Sequence, residues 1–128
     1  MQYRFKQTEA FKKFLESLNK SEQEIVKKAL RKLKDTVDHE RRKSTFLQGR
    51  LAGTRKFRFS QVRIFYRICN ECRELNHDKI YERCAWCERA DDLINIIDGD
   101  MRGSDTYRDT GMFDKHAAQT PSTEEIEI

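Results

Sequence analysis

The stretch Lys56-Phe57-Arg58-Phe59-Ser60-Gln61-Val62-Arg63-Ile64-Phe65-Tyr66-Arg67-Ile68 decides the fold. Its first four residues alternate basic with aromatic side chains, the period of a strand with one polar and one apolar face. Ser60-Gln61 reads as a two-residue turn, and residues 62–68 return as a second strand with Arg63, Phe65 and Arg67 on one face. The result is a β-hairpin with one basic face. Immediately after it come Cys69 and Cys72, and a second Cys-x-x-Cys pair follows at Cys84 and Cys87, which accounts for all four cysteines of the chain.

Working outward, the apolar run 93–97 reads as a buried strand that pairs back against 62–68. Towards the N-terminus, residues 3–6 alternate as a short strand. Thr8 is placed to cap a first helix whose Phe11, Phe14, Leu15 and Leu18 share a stripe. Ser21 and Glu24 form a capping-box pattern for a second helix carrying Val26, Ala29, Leu30, Leu33 and Val37, with the polar segment 38–44 beyond it. The order is β, α, α, β, β, cysteine tip, β. We therefore expect an α+β fold, a small antiparallel-rich sheet packed against an N-terminal helical hairpin, with a zinc-ribbon-like tip on a β-hairpin.

Two Cys-x-x-Cys pairs joined by a short connector place four sulfurs for tetrahedral Zn²⁺, each pair in a tight turn. Two disulfides or a thiol redox pair are the competing readings. The N-terminal residues are charged throughout and lack the apolar core of a signal peptide, which favours a reducing cytoplasm and hence one structural zinc ion held by Cys69, Cys72, Cys84 and Cys87. No apolar run is long enough to span a membrane. With 38% charged residues, the 128-residue chain has room for one small core, and a metal pin would compensate for limited burial.

The formal net charge is +4, yet residues 108–128 hold two basic and five acidic residues, leaving the preceding body at +7. A basic body calls for an anionic partner. The acidic tail, 108–128, reads as a flexible appendage, or as a segment that folds over the basic face and competes with RNA. His39, His77 and His116 form no hydrolase pattern and read as surface residues.

The run Leu47-x-Gly49-x-Leu51-x-Gly53-x-Arg55-Lys56-Phe57-Arg58-Phe59, followed by Val62-Arg63-Ile64-Phe65-Tyr66 and the closing segment 99–107, resembles the RelE/ParE toxin superfamily. The resemblance covers residues 1–107, apart from the inserted knuckle at 69–87. It implies a small cytoplasmic endoribonuclease that cuts messenger RNA on the ribosome and is silenced by a cognate antitoxin. It also implies site roles: Lys56 as base or charge stabiliser, Arg58 and Arg63 as phosphate binders, Arg102 near the leaving oxygen, and Tyr107 as a stacking or hydrogen-bonding aromatic. Arg55, Arg67, Arg73, Lys79 and Arg83 are further candidates for RNA contact. Asp98, Asp100 and Asp105 depart from the pattern, since carboxylates around Arg102 would repel phosphate, and Gly99 and Gly103 read there as a solvated turn. A non-catalytic RNA- or protein-binding zinc module and a ParE-like gyrase-directed toxin are the alternatives.

Overall fold

The computed structural model describes residues 3–43, 46–47, 53–77, 92–101 and 122–126. Along the chain, β1 (Arg4–Thr8), α1 (Glu9–Glu16) and α2 (Lys20–Lys43) precede the hairpin of β2 (Arg55–Phe59) and β3 (Val62–Ile68). Then follow α3 (Cys69–Glu74), β4 (Leu93–Met101) and β5 (Ser122–Ile126). The described strands form one sheet in the order β2-β3-β4-β1-β5. β1 runs parallel to β4, and the remaining neighbours pair antiparallel. The α+β class with a helical hairpin on an antiparallel-rich sheet is as expected.

The α2 stripe is buried as its spacing indicated, and of the α1 stripe Phe11 and Phe14 are buried while Leu15 and Leu18 are only partly so. Phe11 and Phe14 of α1 and Val26, Ala29, Leu30, Leu33 and Val37 of α2 join Tyr3, Phe5, Phe57, Val62, Ile64, Tyr66, Ile94 and Ile96 in the main core. Each such large side chain withdrawn from water contributes about 1.5–3 kcal/mol. Thr8 caps α1 as expected, its hydroxyl accepting from the Phe11 amide at 3.2 Å. The capping box of α2, however, lies two residues earlier than Ser21 and Glu24. Asn19 accepts from the Glu22 amide at 2.8 Å, and the Glu22 carboxylate accepts from the Asn19 amide at 3.0 Å. The pair is reciprocal, so it satisfies two helix-start donors together.

Further departures from the sequence reading have local causes. α2 continues through the polar segment to Lys43 because Asp38 and Arg41 find polar partners in place of apolar ones: the Tyr3 hydroxyl donates to Asp38, and Arg41 pairs with Glu71 and Glu74. The turn Ser60-Gln61 holds, with Ser60 at φ 55°, the left-handed geometry that a two-residue hairpin loop demands. β4 extends past residue 97 to Met101, so Gly99 lies inside a strand and not in a solvated turn. A Cβ on Gly99 would stand 2.7 Å from the Phe14 ring, so glycine is what lets α1 lie this close to the sheet.

The expected flexible tail needs correcting over Ser122–Ile126, which pairs antiparallel to β1 with Glu125 in register with Lys6. β5 is thus the edge strand at the opposite side of the sheet from β2. Residues 122–126 therefore do not lie across the basic strands as a competitor for RNA.

Candidate nucleic-acid interface

A bulge sets the site's geometry. Between Phe65 and Tyr66 the β3–β4 register shifts, so that Phe65 opposes Asp98 and Tyr66 opposes Ile96, leaving Ile97 as the extra residue. The shift keeps Ile94 and Ile96, then Gly99 and Met101, on the helix-covered face, and it turns Asn95, Asp98 and Asp100 to the other. Two cross-sheet rows result on that second face: Lys56, Phe65 and Asp98, and next to it Arg58, Arg63 and Asp100.

Three of the sequence-derived catalytic candidates, Lys56, Arg58 and Arg63, thus share one face of the hairpin, with Arg58 and Arg63 nearest the turn. Lys56 is half-buried and Arg58 exposed, on a strand at the sheet's edge. Arg63 stands directly opposite Arg58, an arrangement of like charges that costs stability unless an anion offsets it. Asp100 is that anion within the chain: its buried carboxylate accepts from the Arg63 guanidinium. Among the described residues, Asp100 neutralises Arg63. Asp98 is buried beside it and accepts from the Gly99 amide at 2.8 Å. Arg102, Tyr107, Lys79, Arg83 and Asp105 lie outside the described residues.

Two further basic candidates, Arg55 and Arg67, sit at the opposite end of the hairpin and are engaged inside the protein. Arg55 belongs to the helix-covered face and is only 4% exposed. Its guanidinium donates to both oxygens of Glu71, at 2.8 and 2.9 Å, and lies over the Phe46 ring at 4.4 Å. Arg67 is 3% exposed and donates to the Thr54 hydroxyl at 3.1 Å. Buried this deeply, neither guanidinium is presented to a polyanion. Arg73 is half-buried on α3. His77 is also half-buried, packed edge-on against Phe46, and not on the open surface as its sequence context implied.

Glu71 organises this second cluster. It accepts from Arg55 and from Arg41 at 3.0 Å, and Arg41 reaches Glu74 as well. Burial works against the Arg41 charge, but the hydrogen bond and charge of Glu71 outweigh it and hold its pKa above the ordinary arginine value. Nearby, burial first and the hydrogen bond to Asp38 second push the Tyr3 phenol up to about 12. Sequence reading missed Glu71 because one acid between two cysteines carries no periodic signal. The clue available was an acidic residue placed between metal-type ligands.

Cys69 and Cys72 lie in helix α3 and not in a tight turn, one helical turn apart and both buried. The Asn95 side-chain amide donates to the Cys69 sulfur at 3.1 Å. Cys84 and Cys87 lie outside the described residues, and among the described residues no three His, Cys, Asp or Glu side chains are grouped to hold a metal ion.

With this geometry in place, known structures supply a comparison. One chain of the RelBE2 toxin–antitoxin complex from Mycobacterium tuberculosis superposes with a TM-score of 0.50 and 20% sequence identity, covering 80% of this chain and 100% of that one. The fold is RelE-like. No protein-family model matches the chain, and neither does any curated protein. Among the described residues, no helix is long and apolar enough to cross a membrane.

Proposed function

We propose that this chain is the toxin of a toxin–antitoxin system, a cytoplasmic endoribonuclease that cuts messenger RNA on the ribosome and is silenced by a cognate antitoxin. The observation that carries this reading is the cation group Lys56, Arg58 and Arg63 on one face of the hairpin of a RelE-like fold. RNA brings its own nucleophile, the 2′-hydroxyl. The protein has only to take that proton, stabilise charge on the phosphate and protonate the departing 5′-oxygen, so catalysis needs no metal. Exposed Arg58 is placed to meet the phosphate, and Arg63 to join it in a bidentate grip once RNA draws it from Asp100. Lys56, two residues along the same strand face, takes the role of base or charge stabiliser. Arg102 and Tyr107 are assigned to the leaving oxygen and to base stacking. A structural zinc ion on Cys69, Cys72, Cys84 and Cys87 completes the proposal.

The Arg63–Asp100 pair favours a second reading, a non-catalytic module that docks RNA or protein on the same face. Mapping messenger RNA ends on translating ribosomes, with wild type beside Lys56→Ala/Arg63→Ala, separates the possibilities. We expect new 5′ ends with wild type and at least about a hundredfold fewer with the double variant, the scale on which a positioned acid–base group acts. Cleavage that persists in the double variant removes the site assignment. No cleavage by wild type supports the binding module, and inhibition of gyrase by wild type would support a ParE-like role.

A further inference from the structure

Helix α3 is fastened to both faces of the sheet. On one side, Glu71 meets Arg55 of β2 and Arg41 of α2. On the other, Cys69 meets Asn95 of β4, whose backbone pairs in register with Arg67, two residues before Cys69. Glu71 lies between the cysteines in sequence, yet its carboxylate oxygens are taken by two guanidiniums, so it is no competitor for a cation on the thiol side. The three-residue spacing of Cys69 and Cys72 puts both sulfurs on one helical face.

A buried cysteine serving only as core needs no donor, because its thiol behaves as a small hydrophobe. Here an amide N–H is aimed at the sulfur from a neighbouring strand at 3.1 Å. Donors of this kind stabilise thiolate charge and orient metal ligands. We propose that Asn95, together with the Arg41–Glu71–Arg55 cluster, holds Cys69 and Cys72 as a preformed dithiolate half-site for Zn²⁺. The half-site rests on the zinc reading given above, with Cys84 and Cys87 supplying the remaining ligands. Asn95 acts through Cys69 and is a positioning residue. Its N–H should matter most when four thiolates leave the centre with two net negative charges.

The test is metal titration of the full chain, reading Zn²⁺ affinity by competition with a chromophoric chelator and the sulfur-to-Co²⁺ charge-transfer absorption. Wild type should take one equivalent with a four-thiolate spectrum. Asn95→Leu should keep that stoichiometry, bind about 10- to 100-fold more weakly, and shift the charge-transfer band to lower energy as the thiolate loses its donor. Isosteric Asn95→Asp, which sets a carboxylate against the sulfur, should weaken binding further, and metal-free circular dichroism of both variants checks that the fold is retained. Wild-type affinity and band position in both folded variants would overturn the role of Asn95 while leaving the zinc site standing. Absence of metal uptake by wild type would remove the zinc site and the half-site together.

Discussion

The two ends of the β2–β3 hairpin carry similar numbers of cations and use them differently. At the end near α3, Arg55 and Arg67 are buried, and Arg55 is locked to Glu71. Towards the turn, Arg58 reaches solvent and Arg63 is shared with Asp100, and Lys56, on the same face as these two, is half-exposed as well. A guanidinium that has been desolvated and paired stiffens the fold. One that is kept near water stays available to a phosphate. The type of residue is the same, so it is the environment that separates structure from recognition.

The sharpest way to break this contrast is Glu71→Ala. Removing the acid leaves Arg55 buried without its partner and detaches Arg41, and breaking a buried pair from one side costs about 3–5 kcal/mol. We expect that loss in urea unfolding, with no gain in RNA affinity, because Arg55 stays inside. A variant as stable as wild type would show that the buried cluster is not what fastens α3.

A smaller effect is expected from Asp100→Asn, which keeps the shape and removes the charge that holds Arg63. A buried group deprived of its ionic partner costs about 1–3 kcal/mol. RNA affinity should rise as Arg63 is freed to join Arg58, and its dependence on salt should steepen by roughly one counterion. Gel-shift or anisotropy titrations at several salt concentrations read both. Affinity that falls or stays level would place RNA elsewhere than on this row.

Arg58→Ala should change stability by no more than about 0.5 kcal/mol, as for an exposed residue away from packed features, while RNA binding weakens. A stability loss comparable to that of Glu71→Ala would erase the distinction between the two ends.

Much of this architecture was legible in the chain. The stripes Phe11/Phe14 and Val26 through Val37 announce helices because apolar spacing and burial coincide, and the 56–68 alternation announces the hairpin for the same reason. What stayed hidden depends on partners remote in sequence. The last turns of α2 are held by Tyr3 and Glu71, 35 and 30 residues away, so the polar segment looked like a loop. Gly99 looked like a turn because its reason, the Phe14 ring, lies on α1. At the site, the residue types and the shared face of Lys56, Arg58 and Arg63 could be read from alternation. Desolvation of Arg55 and Arg67 could not, since it arises only after the elements have packed. The pairing of Arg63 with Asp100 follows from the β3–β4 register, which a bulge alters in a way no local pattern reveals.

The smallest expected effect concerns pH at the paired end. Tyr3 donates to Asp38 close to Arg41 and Glu71, and its phenol is pushed up to about 12, chiefly by burial. In the unfolded chain a tyrosine loses its proton near pH 10. The folded state thus favours the neutral phenol: its contribution is complete below about pH 10 and fades as pH rises towards 12, because the unfolded state releases the proton first. Tyr3→Phe should therefore flatten the stability decline across that window relative to wild type, while the lysines titrate alike in both. Phenolate absorbance, taken as wild type minus Tyr3→Phe, gives the folded midpoint directly. A midpoint near 10 would mean that Tyr3 is solvated, and that the buried cluster stops at Arg41 and does not extend to Tyr3.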